Sequence, residues 1–237
     1  MQRRTKMDAK GFERNHKVGF LTTPENISAL PTLTASGKKF YAPNHVDLMD
    51  FCTKTEDQGS KPWCAAYSAA GFTENILWRK NDYPCEINPS PIYQYAKSID
   101  GDPNGSGTTL TAVLEALLHY KYFDKEICKI KVIRNLTSLK YAIHKYGCAL
   151  AGFSISREWY SLNKNKTSIT GKSDRGLVGG HAVLVCGYDK NGLYIHNSWG
   201  EEWGNFGFGL ITWEEATRQF MYGAVLSRCL DGLDMNS

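Results

Sequence analysis

Residues 58–72 read Gln58-Gly59-Ser60-Lys61-Pro62-Trp63-Cys64-Ala65-Ala66-Tyr67-Ser68-Ala69-Ala70-Gly71-Phe72. The pattern predicts a turn followed directly by a helix, because Ser60 is a suitable N-cap and Pro62 suits the first helical position. Cys64 would then lie in the first helical turn, where unpaired N–H groups and the helix dipole favour a thiolate. The small residues after Cys64 allow other elements to approach closely, so we expect this helix to run through the centre of the protein.

Composition sets the broad class of the protein. The chain has 237 residues, a formal charge of +4 and 42% hydrophobic residues, which is typical of a globular protein and indicates no nucleic-acid partner. No apolar run approaches the roughly 20 residues of a membrane-spanning helix, and the N-terminus has no apolar segment after its first charges. We therefore expect no membrane partner and no secretory signal.

Cysteine usage favours a reducing compartment. The seven cysteines are an odd number without dense spacing, which argues against a disulfide framework. Cys148 and Cys186 lie in apolar runs and are predicted to be reduced core residues. The expected location is cytoplasmic, with export that bypasses a signal peptide, or delivery as an effector, left open.

The order of periodic segments predicts an α+β protein with two lobes and a site between them. Residues 1–40 are predicted to be an extension or strap, 41–226 the main domain and 227–237 a tail; the helical lobe spans about 58–146 and the β lobe about 147–226. Further helices are predicted over Ile92–Lys97, from Thr108 or Thr109, and over Ser138–Tyr146. The predicted strands are 149–154, 181–188, 192–198 and 206–213.

The strand-rich half supplies chemical partners for Cys64. His181 opens one predicted strand and Asn197 closes the next, so a hairpin would hold them side by side. A histidine in this position accepts the thiol proton and later protonates a leaving amine, while the asparagine amide oxygen fixes the imidazole tautomer. Gln58 can offer its side-chain amide to a tetrahedral oxyanion, together with the backbone N–H of Cys64.

These residues resemble the motifs of the papain-like cysteine peptidases. The resemblance rests on three segments, namely Gln58-Gly59-Ser60 with Cys64, Gly180-His181-Ala182-Val183, and Asn197-Ser198-Trp199-Gly200-Glu201-Glu202-Trp203-Gly204. It implies a helical N-terminal lobe and an antiparallel, barrel-like C-terminal lobe with the active site in the cleft. It also implies a polypeptide substrate and no metal or organic cofactor.

The resemblance assigns roles by position. Cys64 would be the nucleophile, His181 the general acid/base, Asn197 its orienting partner and Gln58 the oxyanion donor. Trp199 would shield the His–Asn hydrogen bond, and the loop containing Gly107 would pair with the substrate backbone. The interval of 117 residues between Cys64 and His181 is shorter than the roughly 130–150 of lysosomal members, which favours a bacterial-type or viral member.

Several positions depart from the family pattern. Lys61 replaces a cysteine that would otherwise form a disulfide, while Pro62 and Trp63 add bulk near the first substrate subsite. Gly180 leaves no side chain before His181. The base of the second subsite is expected among the last strands, where Phe220, Met221 and Tyr222 are equal candidates. No motif surrounds the other histidines, which are expected to have structural roles: His16, His45, His119, His144 and His196.

Three functions remain open from the sequence. The first is peptide hydrolysis through a thioester, and the second passes the same thioester to another acceptor, giving an acyl transferase or deamidase. The third is an inactive peptide-binding module, for which Pro62 and Trp63 are the best support. Residues of about 20–40 are hypothesised to pack as an extended strap near the cleft and to act as a partial gate.

Overall fold

A computed structural model describes residues 16–20, 30–33, 42–102 and 104–228 of the chain. The helices are α1 (Cys64–Asn81), α2 (Pro89–Ile99), α3 (Leu110–His119), α4 (Leu136–Tyr146) and α5 (Trp213–Gln219), with 3-10 turns at Met49–Phe51 and Arg157–Ser161. The strands are β1 (Val46–Asp47), β2 (Lys129–Ile133), β3 (Ala149–Ser156), β4 (Ser168–Ile169), β5 (Leu177–Tyr188), β6 (Gly192–His196), β7 (Phe208–Thr212) and β8 (Phe220–Ser227). Most of the predicted extension and tail lie outside the described residues.

The described strands form one sheet centred on the long strand β5. Their order is β2-β8-β3-β5-β6-β7-β4, with β1 also pairing with β5, and every pair is antiparallel except β4 with β7. Phe153 on β3 lies opposite His181, and His196 on β6 lies opposite Leu184. His181 is therefore held in the interior of the sheet by its pairing with β3. Strand β6 ends at His196, so Asn197 is the first residue after it.

Helix α1 begins later than predicted, because the chain first completes a turn. The Lys61 N–H donates to the Gln58 carbonyl over 3.1 Å, and Gly59 adopts a φ of 54°. The cap is Trp63, without a side-chain hydrogen bond, and Cys64 is the first helical residue. Ser60 is therefore not the N-cap and Pro62 lies before the helix, although Cys64 is at the helix start as expected.

The central position of α1 is confirmed. Its small residues Ala65, Ala66, Ala69 and Ala70 are fully buried. The helix packs against β5 and also contacts α2 and α3. The absence of long side chains on this face lets the sheet and the neighbouring helices enclose it, which places Cys64 against the strand that carries His181.

The other helices follow their capping residues. The Asn88 side chain accepts from the Ser90 N–H, so α2 starts at Pro89, three residues before the predicted start at Ile92. Thr109 caps α3 as expected, through the N–H of Ala112. Helix α4 begins at Leu136, two residues before the predicted start at Ser138, and Asn135 is its N-cap.

The lobes do not divide at residue 147 as expected. Strand β2 lies before that position yet pairs with β8 over its whole length, from Lys129 opposite Ser227 to Ile133 opposite Gly223. The predicted helical half thus contributes an edge strand to the sheet. Helix α5 lies within the strand-rich half, where Thr212 accepts from the Glu215 N–H. The mixed α+β class is nevertheless confirmed.

Candidate active site

His181 and Asn197 form a buried hydrogen-bonded pair at the centre of the site. His181 Nε2 lies 2.8 Å from Asn197 Oδ1, and the two residues are 0% and 3% exposed. The other ring nitrogen, Nδ1, has no hydrogen-bond partner among the described residues. The amide oxygen of Asn197 can only accept a hydrogen bond, so the Nε2 of His181 must be the donor and carry the proton. In the neutral imidazole the lone pair of Nδ1 is then available to accept a thiol proton.

Cys64 lies beside this pair at the start of α1. Its sulfur is within hydrogen-bond reach of the backbone N–H groups of Ala182, next to His181, and of Gly19. Burial nevertheless raises the pKa of Cys64, and burial lowers the pKa of His181 to about 4 against the opposing hydrogen bond from Asn197. Burial of the pair thus favours the neutral forms of both groups over the thiolate and imidazolium.

Gln58 is also in the predicted place, and its amide group is already engaged. Its Nε2 donates to the carbonyl oxygens of Lys17 at 2.9 Å and Lys61 at 2.8 Å. Its Oε1 accepts from the hydroxyl of Ser198 at 2.6 Å. The Ser198 hydroxyl fixes the amide orientation, so the donor points at a carbonyl group from another part of the chain.

Trp199 covers the imidazole. Its ring stacks on His181 with centroids 4.5 Å apart and planes 30° apart. Tyr160 stacks on Trp199 at 5.0 Å and 9°. The shielding position predicted for Trp199 is thus occupied, while Tyr160 belongs to a 3-10 turn that had no recognisable motif in the sequence.

Residues 16–20 run through the site as an extended segment. The Thr108 N–H donates to the Gly19 carbonyl oxygen, and the Phe20 N–H donates to the Gly180 carbonyl oxygen, each over 3.1 Å. A Cβ at Gly107, whose φ is 85°, would lie 1.6 Å from that Gly19 oxygen. Gly107 and Gly180 therefore border a groove that the chain's own residues 16–20 occupy, and their role in substrate binding stays a prediction.

Phe20 fills an apolar pocket beside the groove. Its ring lies 5.2 Å from the ring of Tyr222, and a Cβ on Gly152 would meet Phe20 ring atoms at 2.1–2.9 Å. Of the three candidates left open on the last strand, Tyr222 is the one that contacts this side chain. Phe220 instead packs edge-to-face with Phe153, and Met221 is exposed.

Pro62 and Trp63 have different positions. A Cβ at Gly19 would lie 2.5 Å from both the Cβ and the carbonyl oxygen of Pro62, so Pro62 forms one wall of the groove. Trp63 stacks on Tyr93 of α2 with centroids 4.8 Å apart, and the ammonium group of Lys61 lies above its ring. Pro62 thus contacts residues 16–20, whereas the Trp63 ring packs on α2.

His16 has a role that sequence analysis did not assign. Its Nε2 lies 3.0 Å from Asp57 Oδ1, and its ring is 5.8 Å from that of Trp199. The hydrogen bond from His16 holds the pKa of Asp57 below its usual value. No sequence motif marks His16, because its partners come from the loop before Cys64 and from the segment after Asn197.

The described residues were also compared with the requirements of metal and membrane-spanning sites, which they do not meet. In the described part of the chain, no group of three or more His, Cys, Asp or Glu residues could hold a metal ion. No helix there is long and apolar enough to cross a membrane. The six cysteines that the structure describes are all free thiols.

Residues 103–224 match the family described as papain family cysteine protease, which is just over half of the chain and includes His181 and Asn197. Cathepsin K of Mus musculus is 26% identical over 223 residues, an alignment that covers 84% of this chain and 64% of cathepsin K. This chain thus spans less than two thirds of that relative.

Solved structures show the same architecture. Procathepsin B S9 from Trypanosoma congolense superposes with a TM-score of 0.67 at 16% identity, covering 88% of this chain and 85% of that one. Xylellain, a cysteine protease from Xylella fastidiosa, gives a TM-score of 0.60 at 22% identity, covering 90% and 91%. Together with the family match, this similarity shows that the chain belongs to the papain family of cysteine proteases.

Proposed function

We propose that the protein is a cysteine peptidase that hydrolyses peptide bonds through a thioester on Cys64. The observation that carries this proposal is the oriented His181–Asn197 pair beside a cysteine at a helix start. With Nε2 bonded to Asn197, Nδ1 of His181 takes the thiol proton, and the sulfur attacks the substrate carbonyl carbon. The imidazolium then gives its proton to the leaving amine, and water hydrolyses the thioester.

Gln58 supplies the second element of the mechanism. Its Nε2 already donates to a peptide carbonyl oxygen, that of Lys17, which demonstrates that the amide is accessible to a carbonyl in the groove. In the reaction this donor and the backbone N–H of Cys64 would stabilise the oxyanion. Ser198 holds the amide in place, so little reorganisation is needed as charge develops.

We further propose that residues 16–20 hold the enzyme in a latent form. Four contacts support this role, namely the bonds of His16 to Asp57, Lys17 to Gln58, Gly19 to Thr108 and Phe20 to Gly180. Within this segment, the N–H of Gly19 hydrogen-bonds to the Cys64 sulfur, whereas the carbonyl that accepts from Gln58 belongs to Lys17. The backbone groups that Cys64 and Gln58 bind thus lie two residues apart, which supports a segment that binds without being cleaved.

The test is digestion of a peptide library, with new termini identified by mass spectrometry, by the full chain after incubation at neutral and acidic pH. Cys64→Ala and His181→Ala serve as controls, and a peptidyl epoxide reports whether Cys64 is reactive. New peptide termini that depend on both residues would support hydrolysis. An epoxide-reactive Cys64 that gives amide exchange or deamidation without cleavage would support the transferase instead. No labelling of Cys64 in an opened chain would support a binding module.

A further inference from the structure

Cys52 and Cys186 form a pair of thiols apart from the candidate active site, with Cys186 on β5, the strand that also carries His181. Cys52 follows the 3-10 turn at 49–51, and its sulfur is 3.6 Å from both the Leu48 carbonyl oxygen and the Asn75 amide nitrogen. Its side chain also hydrogen-bonds to that of Cys186 on β5. Two free thiols are therefore paired at a site that the peptidase mechanism does not use.

Backbone pairing fixes this contact. Asp47 lies opposite Gly187 where β1 meets β5, and the Leu48 N–H donates to the Cys186 carbonyl oxygen over 2.9 Å. The pairing of β5 with β6 shifts register between Val185 and Gly187, which places Cys186 in an irregularity of the sheet. The Leu48 backbone thus links the two cysteines, because its N–H donates to the Cys186 carbonyl oxygen and its carbonyl oxygen accepts from the Cys52 thiol.

The two thiols have opposite acid–base character. The hydrogen bond from Cys186, with further bonds from His196 and Asn75, lowers the pKa of Cys52 to about 5 despite its burial. The same bond to Cys52, together with burial, raises the pKa of Cys186. The other titratable groups that act on the pair are Cys148 and Asp47. This asymmetry matches an attacking thiolate beside a resolving thiol.

Cys52 is more exposed than Cys186. Cys52 is half-buried and lines a cavity of about 490 Å³, together with Lys54, Trp78, Cys85 and Glu86. Cys186 is fully buried, and its sulfur also donates to the Tyr194 carbonyl oxygen over 3.6 Å. Cys85 also lines this cavity and is also partly exposed, and burial raises its pKa, so it serves as a reference thiol.

We propose that Cys52 and Cys186 are a thiol–disulfide exchange pair, in which Cys52 attacks a low-molecular-weight disulfide from the cavity and Cys186 resolves the product. In the first step the Cys52 thiolate forms a bond to one sulfur of the external disulfide, whose S–S bond breaks and releases a thiolate. In the second step the Cys186 sulfur attacks Cys52 and gives its proton to the second departing thiolate. Two protein thiols are oxidised to one disulfide, and the external disulfide is reduced to two thiols.

The product would link two functional segments. Cys52 lies on the segment that leads to Gln58, and Cys186 lies on the strand that carries His181. A disulfide between them closes a long loop of chain, which is the kind of cross-link that stabilises a fold by restricting its unfolded state. Oxidation is therefore expected to raise the midpoint of thermal unfolding.

The experiment treats the full chain with oxidised glutathione between pH 6 and 8 and quantifies each cysteine by peptide mapping. The expected product is a cross-linked pair of peptides containing Cys52 and Cys186. The initial rate at Cys52 should change little with pH, whereas the rate at Cys85 should fall about tenfold per unit as the pH is lowered. Cys186→Ser keeps a hydroxyl donor beside Cys52 and should accumulate the glutathione mixed disulfide at Cys52.

The controls separate this chemistry from general thiol reactivity. Cys52→Ser should leave Cys186 unmodified, and Cys64→Ser should leave the cross-link unchanged, which keeps the result independent of the peptidase proposal. The proposal is overturned if Cys52 and Cys85 react with the same pH dependence. It is also overturned if Cys186→Ser does not accumulate the mixed disulfide, or if wild-type protein yields only unlinked adducts.

Discussion

The side-chain amide of Gln58 donates to the carbonyl oxygen of Lys17 over 2.9 Å. The predicted oxyanion donor thus holds a peptide group of its own chain, in the groove bordered by Gly107 and Gly180. Gly19 of the same segment hydrogen-bonds to the Cys64 sulfur, and burial favours the neutral forms of Cys64 and His181. We therefore expect removal of residues 16–20 to favour ionisation of the Cys–His pair.

Gly19→Ala is expected to open the groove. The new methyl group would lie 2.5 Å from the Cβ and the carbonyl oxygen of Pro62, so the segment must move. Overpacking of this size costs about 1–3 kcal/mol, which corresponds to a rise of about five- to hundredfold in the rate of epoxide labelling at Cys64 at pH 7. Labelling is measured by intact-mass spectrometry.

Val18→Ala is the matched control for this change, since it removes atoms from the neighbouring half-buried residue without adding any. It should change labelling far less than Gly19→Ala. Equal labelling of wild type and Gly19→Ala, with the circular dichroism spectrum unchanged, would show that residues 16–20 do not limit access to Cys64.

Acidification is expected to open the latent form. Burial lowers the pKa of His181 from 6.5 to about 4, so the closed arrangement contributes its full stability above pH 6.5. As the pH falls from 6.5 towards 4, only the opened form takes up a proton on His181. The ratio of closed to opened protein therefore falls about tenfold per pH unit. The pKa of Asp57 is lowered from 3.8 by its bond to His16, so loss of that bond adds to opening only below about pH 4.

The measurement is a short acid incubation followed by epoxide labelling at one common pH. Labelling of Cys64 should rise between pH 6.5 and 4 in the wild type and less steeply in Gly19→Ala, which is already open. A profile that is flat over this range, or one that rises only below pH 4, would assign the opening to groups other than His181.

The sequence predicted which side chains meet at the candidate site, because each is placed by local structure. Cys64 needs only a helix start, and His181 and Asn197 need only the adjacent strands β5 and β6. The occupied groove could not be predicted in this way, since His16 and Phe20 meet their partners only after α1, β3 and β8 are assembled. Tyr160 was missed for the same reason.

Strand β2 and helix α5 were missed although each has a local signal. Lys129 and Lys131 alternate with the buried Ile130 and Val132, but the charges favoured the interpretation of a solvated surface. Thr212 with Glu215 has the spacing of a capping box, yet the preceding residues fit a strand pattern. In the first case the lysine charges concealed a strand, and in the second the strand-like residues before Thr212 concealed the start of a helix.

Gln58→Ala is expected to affect activation and turnover in opposite directions. The substitution removes the bond to Lys17 and so weakens the latent form, which should make epoxide labelling of Cys64 faster at neutral pH. It also removes an oxyanion donor, which costs about 2.7–4 kcal/mol, or about 10²–10³ in kcat of the opened enzyme. Ser198→Ala keeps the amide and removes only its orienting hydroxyl, so its loss in kcat should be smaller.

Both quantities are measured on one preparation, with labelling before acid treatment and peptide hydrolysis after it. If labelling became faster while kcat stayed unchanged, Gln58 would hold the segment but take no part in the reaction. If kcat fell while labelling stayed unchanged, its bond to Lys17 would contribute nothing to latency.

Gly152→Ala is expected to change substrate preference at the second subsite. Phe20 shows that the pocket beside Tyr222 accepts an aromatic ring, and an alanine methyl at position 152 would lie 2.1 Å from that ring. We expect kcat/KM for a peptide with phenylalanine in this subsite to fall about 10–200-fold relative to one with alanine there. Because both substrates compete for the same enzyme, any effect of the mutation on latency cancels from the ratio.

Tyr222→Phe is the control for this change. It keeps the ring and removes the hydroxyl that accepts from the Leu110 N–H, so it should retain the preference for phenylalanine. An unchanged ratio in Gly152→Ala would mean that substrates do not use the pocket that Phe20 fills.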